Sequence, residues 1–116
     1  MNMIDLDQRV AIVTGGAQGI GLAVAARLLA SRARVCLFDI DEAALATAKA
    51  SLGANVLTKV VDIVDLAGLQ VAHRETEAAL GPVALLVNSA GVAGTNATLE
   101  DYDPDEWRRV VEINLN

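Results

Sequence analysis

A glycine-rich stretch follows the first apolar run of the chain, and its residue types suit the binding of a phosphate. Its pattern is T-G-x-x-x-G-x-G, formed by Thr14, Gly15, Gly19 and Gly21. A backbone that bends sharply after a buried strand and then packs its helix close to the sheet has no room for Cβ atoms at such positions. The free N–H groups and the positive dipole end of the following helix then face an anion. The stretch predicts a phosphate site, although a glycine-rich turn on its own is often only a turn.

Two better-known phosphate patterns do not fit this stretch. The dinucleotide pattern G-x-G-x-x-G, started at Gly19 and Gly21, would need Gly or Ala where Val24 stands. The Walker A pattern fails because no Lys-Ser or Lys-Thr pair follows the glycines. A phosphotransfer domain of the P-loop type is therefore excluded.

Acids and amides follow the other three predicted strands, each at the point where the strand ends. They are Asp39, Asp62 and the run Asn88-Ser89-Ala90-Gly91. In a parallel sheet the carboxyl ends of the strands meet at one edge, where open α/β proteins bind their ligands. We therefore expect these groups to lie beside the glycine-rich stretch.

Asp39 lies close to the sequence offset from the last glycine at which an acid binds the adenosine ribose of a dinucleotide. A carboxylate there accepts hydrogen bonds from the 2′-OH group of NAD but repels the 2′-phosphate of NADP. No Lys or Arg stands at Ala17, Gln18 or Ile40 to compensate. The sequence thus predicts NAD rather than NADP. The alternative is that Asp39 only caps the next helix alongside Asp41.

Four apolar strands alternate with helices along the chain. The predicted strands are Val10–Val13, Arg34–Asp39, Asn55–Val61 and Val83–Val87. The predicted helices are Leu22–Ala30, Asp41–Ala50, Asp65–Leu80 and a last one that begins near Pro104 or Asp105 and is still running at Asn116. This alternation implies right-handed crossovers and a parallel sheet. We predict one α/β domain over residues 1–116, with an incomplete, doubly wound parallel sheet of the Rossmann type in the strand order 3-2-1-4.

The composition suits such a sheet and excludes several partners. Hydrophobic residues make up 53% of the 116 residues and aromatic residues only 3%, so the core must be aliphatic, as in a sheet buried on both faces. The net charge of -6 argues against nucleic acid or an anionic membrane as a partner. With one His and one Cys, a metal site has nothing to build on. Neither a signal peptide nor a membrane-spanning run is visible, so a cytoplasmic location is expected.

The motifs together resemble the cofactor site of the short-chain dehydrogenase/reductase family, from about Leu6 to Asn116. The resemblance implies a cofactor loop, then contacts to the adenosine ribose, to adenine, and to the nicotinamide and its ribose. The cofactor-binding residues that it implies are Thr14, Gly15, Gln18, Gly19, Ile20, Gly21, Asp39, Ile40, Asp62, Ile63, Asn88, Ala90, Gly91 and Ile113. Ser89 stands where the family has a second Asn, which puts the role of that side chain in doubt.

One catalytic residue is implied by the same resemblance. Asn114 matches a family Asn whose backbone holds a water that feeds a proton relay to the catalytic Lys. Taken alone, Asn114 would be a helix amide on a solvated face and Asp62 a turn former. Two reactive side chains are set aside: Cys36 is expected to be a buried hydrophobe, and His73 is expected at the surface of a helix.

The resemblance implies an NAD(H)-dependent oxidoreductase that transfers hydride between nicotinamide and a small alcohol or ketone, as a homotetramer or homodimer. In the family the catalytic Ser and the Y-x-x-x-K pair lie beyond the point that matches Asn116. Here Glu106 stands four residues after Tyr102, the single tyrosine. We therefore expect the chain to supply the cofactor-binding half, to be inactive alone, and to leave its fourth strand as an uncovered apolar edge. The alternative is a catalytically silent nucleotide-binding module that is complete as it stands.

Overall fold

The computed structural model of the chain describes residues 6–89 and, for residues 112–115, the backbone alone. Strands and helices alternate through these residues, as the sequence predicts. In chain order they are β1 (Val10–Thr14), α1 (Gly19–Ala30), β2 (Arg34–Asp39), α2 (Glu42–Leu52), β3 (Leu57–Val60), α3 (Leu66–Leu80), β4 (Val83–Asn88) and β5 (Glu112–Leu115).

The described strands form one sheet in the order β3-β2-β1-β4-β5. The first four are parallel, and β1 lies in the middle, with Ile12 opposite Cys36 of β2 and Leu86 of β4. Because the chain moves outward from β1 to β3 and then returns to the other side of β1, the sheet is doubly wound. The predicted fold class and the strand order 3-2-1-4 are therefore confirmed.

The centre of the sheet, at β1 and β2, is buried on both faces, and neighbouring residues of β1 serve opposite faces. Val13 packs in a core with residues of α1 and α2, among them Val24 and Leu45. Ile12 packs in a second core with Phe38 and with Ala72 of α3. This follows from the two-residue period of a strand, and it explains why the strands are almost continuously apolar.

The ends of α2 and α3 follow the signals in the sequence. Asp41 caps α2 and Asp65 caps α3 through side-chain oxygens, while Gly53 and Gly81 end the two helices with positive φ angles. The predicted cap at Asp41 is thus confirmed. None of the three helices in residues 6–89 is long and apolar enough to cross a membrane.

The end of the chain differs from the prediction. Residues Glu112–Leu115 form a strand that runs antiparallel to β4, with Ile113 opposite Val87 and Asn114 opposite Leu86. The helix predicted to continue to Asn116 is therefore wrong over these four residues, and its predicted start lies outside the described residues. The open edge of β4 offers unpaired backbone groups, and pairing with them overrides a weak local helix preference. The expectation that β4 is left as an uncovered edge is wrong for the same reason.

Candidate functional site

The sheet brings the predicted site residues of residues 6–89 to its carboxyl edge. The glycine-rich loop connects β1 to α1, Asp39 ends β2, Asp62 follows β3, and Asn88 ends β4. Because β1 is flanked by β2 and β4, the loop after β1 lies between Asp39 on one side and Asn88 on the other. The groups that the sequence predicts beside the glycine-rich stretch therefore lie at the same edge of the sheet.

The glycine-rich loop is held against β2 by its own backbone. The N–H groups of Gly15 and Gly16 donate to the carbonyl of Phe38 at 2.8 and 3.3 Å. Gly15 and Gly19 have φ angles of 66° and 58°, in the left-handed region that favours glycine. A Cβ atom at Gly19 would meet no described atom within 4 Å, so this side of the loop is open.

The first turn of α1 is closely packed below and open at its end. A Cβ atom at Gly21 would overlap the carbonyl oxygen of Gly15 and lie 2.6 Å from the hydroxyl oxygen of Ser89. The first backbone hydrogen bond of the helix runs from Leu22 N to Gln18 O at 3.3 Å. The side chain of Gln18 makes no cap hydrogen bond, and the first turn of α1 has no acidic residue. The N–H groups of the first turn therefore face outward without a side-chain acceptor at the cap, an arrangement that suits a phosphate.

The carboxylate of Asp39 bonds to the glycine-rich loop. Its Oδ2 accepts from Ala17 N at 3.2 Å, and its Oδ1 accepts from Asp41 N at 3.1 Å. The cap of α2 comes instead from Asp41, whose Oδ1 accepts from Ala44 N at 3.0 Å. The alternative in which Asp39 only caps the helix therefore does not describe its contacts. Ile40, the next residue, is 66% exposed.

Asp62 forms a turn between β3 and α3. Its side chain accepts from Val64 N at 3.1 Å and its carbonyl accepts from Asp65 N at 2.9 Å. This is the turn-forming role that the residue would have without any ligand. Ile63 and Val64 stay exposed beside it, at 39% and 83%. An adenine contact by Asp62 and Ile63 remains a prediction.

The tips of β1 and β4 are joined by hydrogen bonds between side chains and backbone. The hydroxyl of Thr14 donates to Asn88 Oδ1 at 2.8 Å. The hydroxyl of Ser89 donates to the carbonyl of Thr14, and Ser89 N donates to the same carbonyl at 3.3 Å. Sequence reasoning did not assign a role to Ser89. The available signal was a hydroxyl residue directly after β4, the strand that pairs with β1.

The structure describes only the backbone of two of the remaining predicted residues, and the other two lie outside it. Ala90 and Gly91 lie outside the described residues. The backbone of Ile113 and Asn114 pairs with β4, opposite Val87 and Leu86. The roles predicted for these four residues stay predictions.

Two reactive side chains lie away from this edge, as expected. Cys36 is fully buried, and burial raises the pKa of its thiol to about 11, so the nucleophilic thiolate is scarce at neutral pH. His73 is 45% exposed on α3, where its Nδ1 lies 3.9 Å from a carboxylate oxygen of Glu77. Both predictions, the burial of Cys36 and the exposure of His73 on a helix, are confirmed.

The fold is that of an open α/β protein in which the helix after β1 begins without a side-chain cap. The sequence profile of the family described as short chain dehydrogenase matches residues 9–116. The chain therefore belongs to the short-chain dehydrogenase family. Members of this family use a nicotinamide cofactor and act on small molecules.

Individual relatives agree with this assignment but differ in their cofactor. The 2-dehydro-3-deoxy-L-rhamnonate dehydrogenase (NAD(+)) of Sphingomonas sp. (strain SKA58) is 41% identical over 93% of this chain and 43% of its own length. The NADP-dependent (R)-specific alcohol dehydrogenase of Lentilactobacillus kefiri is 40% identical over 96% of this chain and 44% of its own. A solved structure described as a short-chain dehydrogenase, from Novosphingobium aromaticivorans, matches 91% of this chain and 40% of its own at 31% identity, with a TM-score of 0.71. The chain thus spans less than half the length of these relatives.

Proposed function

We propose that residues 1–116 form the dinucleotide-binding part of an NAD(H)-dependent oxidoreductase that interconverts a small alcohol and its ketone. The open first turn of α1 suits the pyrophosphate, because Gly19 leaves space above the loop and the N–H groups of that turn lack a side-chain cap. When bound, the cofactor would supply or accept the hydride. The chain itself would bind the adenosine end through Asp39, Ile40, Asp62 and Ile63, and the nicotinamide end through Asn88, Ala90, Gly91 and Ile113.

The choice of NAD depends on one observation, the position of the Asp39 carboxylate. It lies 3.2 Å from a backbone N–H of the glycine-rich loop, so it is held at the same edge as the phosphate site. A 2′-phosphate entering there would meet a negative charge, and no cation stands at Ala17, Gln18 or Ile40 to offset it. Family membership does not decide between NAD and NADP, because one of the relatives is named for NAD(+) and another is named as NADP-dependent.

The expectations for the rest of the protein are part of the same proposal. Asn114 would act in a proton relay to a Lys beyond this chain, so residues 1–116 would bind the dinucleotide without turnover. The substrate would be a small alcohol or ketone, in keeping with the relatives, which are a sugar-acid dehydrogenase and an alcohol dehydrogenase. The assembly would be a cytoplasmic homotetramer or homodimer.

The test compares the affinities of the chain for NADH and NADPH, by titration of the nicotinamide fluorescence. We expect NADH to bind more tightly. Asp39→Ala should narrow the gap by about tenfold, since a charge pair at this range is worth about 1–4 kcal/mol. Asp65→Ala removes the same charge from the cap of α3 and should leave the ratio unchanged.

Each contrary result has a separate meaning. A folded chain that binds neither dinucleotide contradicts the proposed function. A chain that binds both, with a ratio that Asp39→Ala does not move, retains dinucleotide binding but removes Asp39 from the choice of cofactor.

One observation favours the alternative of a catalytically silent module. β5 pairs with β4, so that among the described residues the apolar edge of β4 is covered by a strand of the same chain. The two hypotheses are separated by the intact mass of the natural protein in its source. A mass well above 12.1 kDa, together with alcohol oxidation by that protein, supports the oxidoreductase. A mass of 12.1 kDa without turnover supports the silent module.

A further inference from the structure

Ser89 joins the ends of two neighbouring strands at the carboxyl edge of the sheet. It lies directly after β4 and is only 6% exposed. Its N–H and its hydroxyl both donate to the carbonyl of Thr14, the last residue of β1. Two neighbouring strands are therefore joined at their tips by one residue, through one carbonyl oxygen.

The same hydroxyl also lies against the first turn of α1. It occupies part of the space that a side chain at Gly21 would fill, since a Cβ atom there would lie 2.6 Å from Ser89 Oγ. The rest of that space is filled by the carbonyl of Gly15. Ser89 thus hydrogen-bonds the tip of β1 and also lies against the start of α1.

We propose that Ser89 is a positioning residue that sets how far the first turn of α1 lies from the tip of β4. This inference rests on the proposed function. The first turn of α1 would bind the pyrophosphate, and Asn88, next to Ser89, would bind the nicotinamide end. The hydroxyl therefore controls the spacing between two parts of one ligand, and the adenosine end at Asp39 does not depend on it.

The size of the side chain matters as much as its hydrogen bond. Ala at this position would leave the carbonyl of Thr14 with one donor and would open a gap above Gly21. A larger side chain would have to share the space with Gly15 O and Gly21, which are backbone and cannot rotate away. A small residue with a hydroxyl meets both conditions.

The test uses Ser89→Ala, with Ser89→Thr as the variant that keeps the hydroxyl. We expect Ser89→Ala to weaken NADH binding about fivefold, the equivalent of one ordinary hydrogen bond. The binding of NADPH should weaken by the same factor. Adenosine, measured by its displacement of NADH, should bind as it does to the parent chain. Ser89→Thr keeps the hydroxyl but adds a methyl group to the space beside Gly21, so it should recover only part of the NADH affinity. Ser51→Ala, at an exposed serine of α2, is the matched control.

Affinities are measured well below the unfolding midpoint of each variant, so that a change in stability alone does not alter them. Equal weakening of NADH and adenosine, or unchanged NADH binding in Ser89→Ala, overturns the positioning role. If Ser89→Ala does not fold, Ser89→Cys fills the same space with a weaker donor, and NADH affinity equal to that of the parent chain would overturn the role in the same way. A parent chain that binds neither NADH nor adenosine contradicts the proposed function instead.

Discussion

The three helices in residues 6–89 begin in two different ways. α2 and α3 each begin after an aspartate whose carboxylate accepts from a backbone N–H of the first turn, Asp41 from Ala44 at 3.0 Å and Asp65 from Gly68 at 3.1 Å. α1 begins after Gln18, which makes no cap hydrogen bond, and its first turn has no acid. The backbone N–H groups at the starts of α2 and α3 therefore have side-chain acceptors, whereas those at the start of α1 lack a side-chain cap, as suits a helix end that binds an anion.

The glycines at the third position of α1 and α3 show the same contrast. A side chain at Gly21 of α1 would meet the backbone of Gly15 and the hydroxyl of Ser89. A side chain at Gly68 of α3 would meet the end of the Asp65 carboxylate, at 2.6 Å from Oδ2. Gly21 is required because the backbone of Gly15 cannot move away from a side chain at that position, whereas the Asp65 side chain near Gly68 can rotate. We therefore expect the start of α1 to tolerate substitution of its glycine less well than the start of α3.

The largest effect that tests this contrast is expected from Gly21→Ala. Overlap with a backbone oxygen cannot be relieved by a rotamer change, so α1 must move, at a cost of about 3 kcal/mol in the free energy of unfolding. NADH affinity should fall with it, by more than about tenfold. Gly68→Ala is the matched control and should change the free energy of unfolding by no more than about 1 kcal/mol, because Ala favours the helix. Urea denaturation measures both, and equal losses would contradict the contrast.

A smaller effect is expected when α1 is given the cap that α2 and α3 have. Gln18→Asp places a carboxylate at a residue whose φ of -146° and ψ of 160° already suit a helix cap. The new acceptor would take up an N–H group of the first turn and repel the pyrophosphate. We expect about 1 kcal/mol more stability and about tenfold weaker NADH binding. Gln18→Asn caps without charge and should weaken binding less. NADH binding that is unaffected by Gln18→Asp would place the phosphate elsewhere.

The smallest effect is expected from removal of the existing caps. Asp41→Ala and Asp65→Ala should each lower the free energy of unfolding by about 1 kcal/mol, the usual cost of losing a helix cap. Neither should change NADH affinity by more than about a factor of two, since Asp41 and Asp65 each bond within their own helix and are not among the residues proposed to bind the dinucleotide. Thermal unfolding and NADH titration of the same samples check both statements. A tenfold loss of affinity in Asp65→Ala would mean that α3 also contributes to the site.

Most of the described elements could be predicted from local patterns, and the errors have physical causes. α1 begins at Gly19, whereas the sequence predicts Leu22, because glycines have low helix propensity and hide the first turn of a helix. β3 is shorter than predicted, at Leu57–Val60. The helix predicted over Glu112–Leu115 is a strand, because the free edge of β4 supplies hydrogen bonds that no local pattern shows.

The sequence by itself determined that the chain folds as a parallel α/β sheet and that its polar residues fall at the carboxyl ends of strands. Both depend on the period of apolar residues and on glycines and acids that stop each run, which are local properties. Only the tertiary structure decided that Asp39 hydrogen-bonds to Ala17, that Ser89 hydrogen-bonds to Thr14, and that α1, alone of the three helices in residues 6–89, lacks a side-chain cap. Ser89 and Thr14 are 75 residues apart in the chain, and their contact exists because β4 pairs with β1 in one particular register. The register of two paired strands depends on how all of their residues pack, so it cannot be predicted from one short motif.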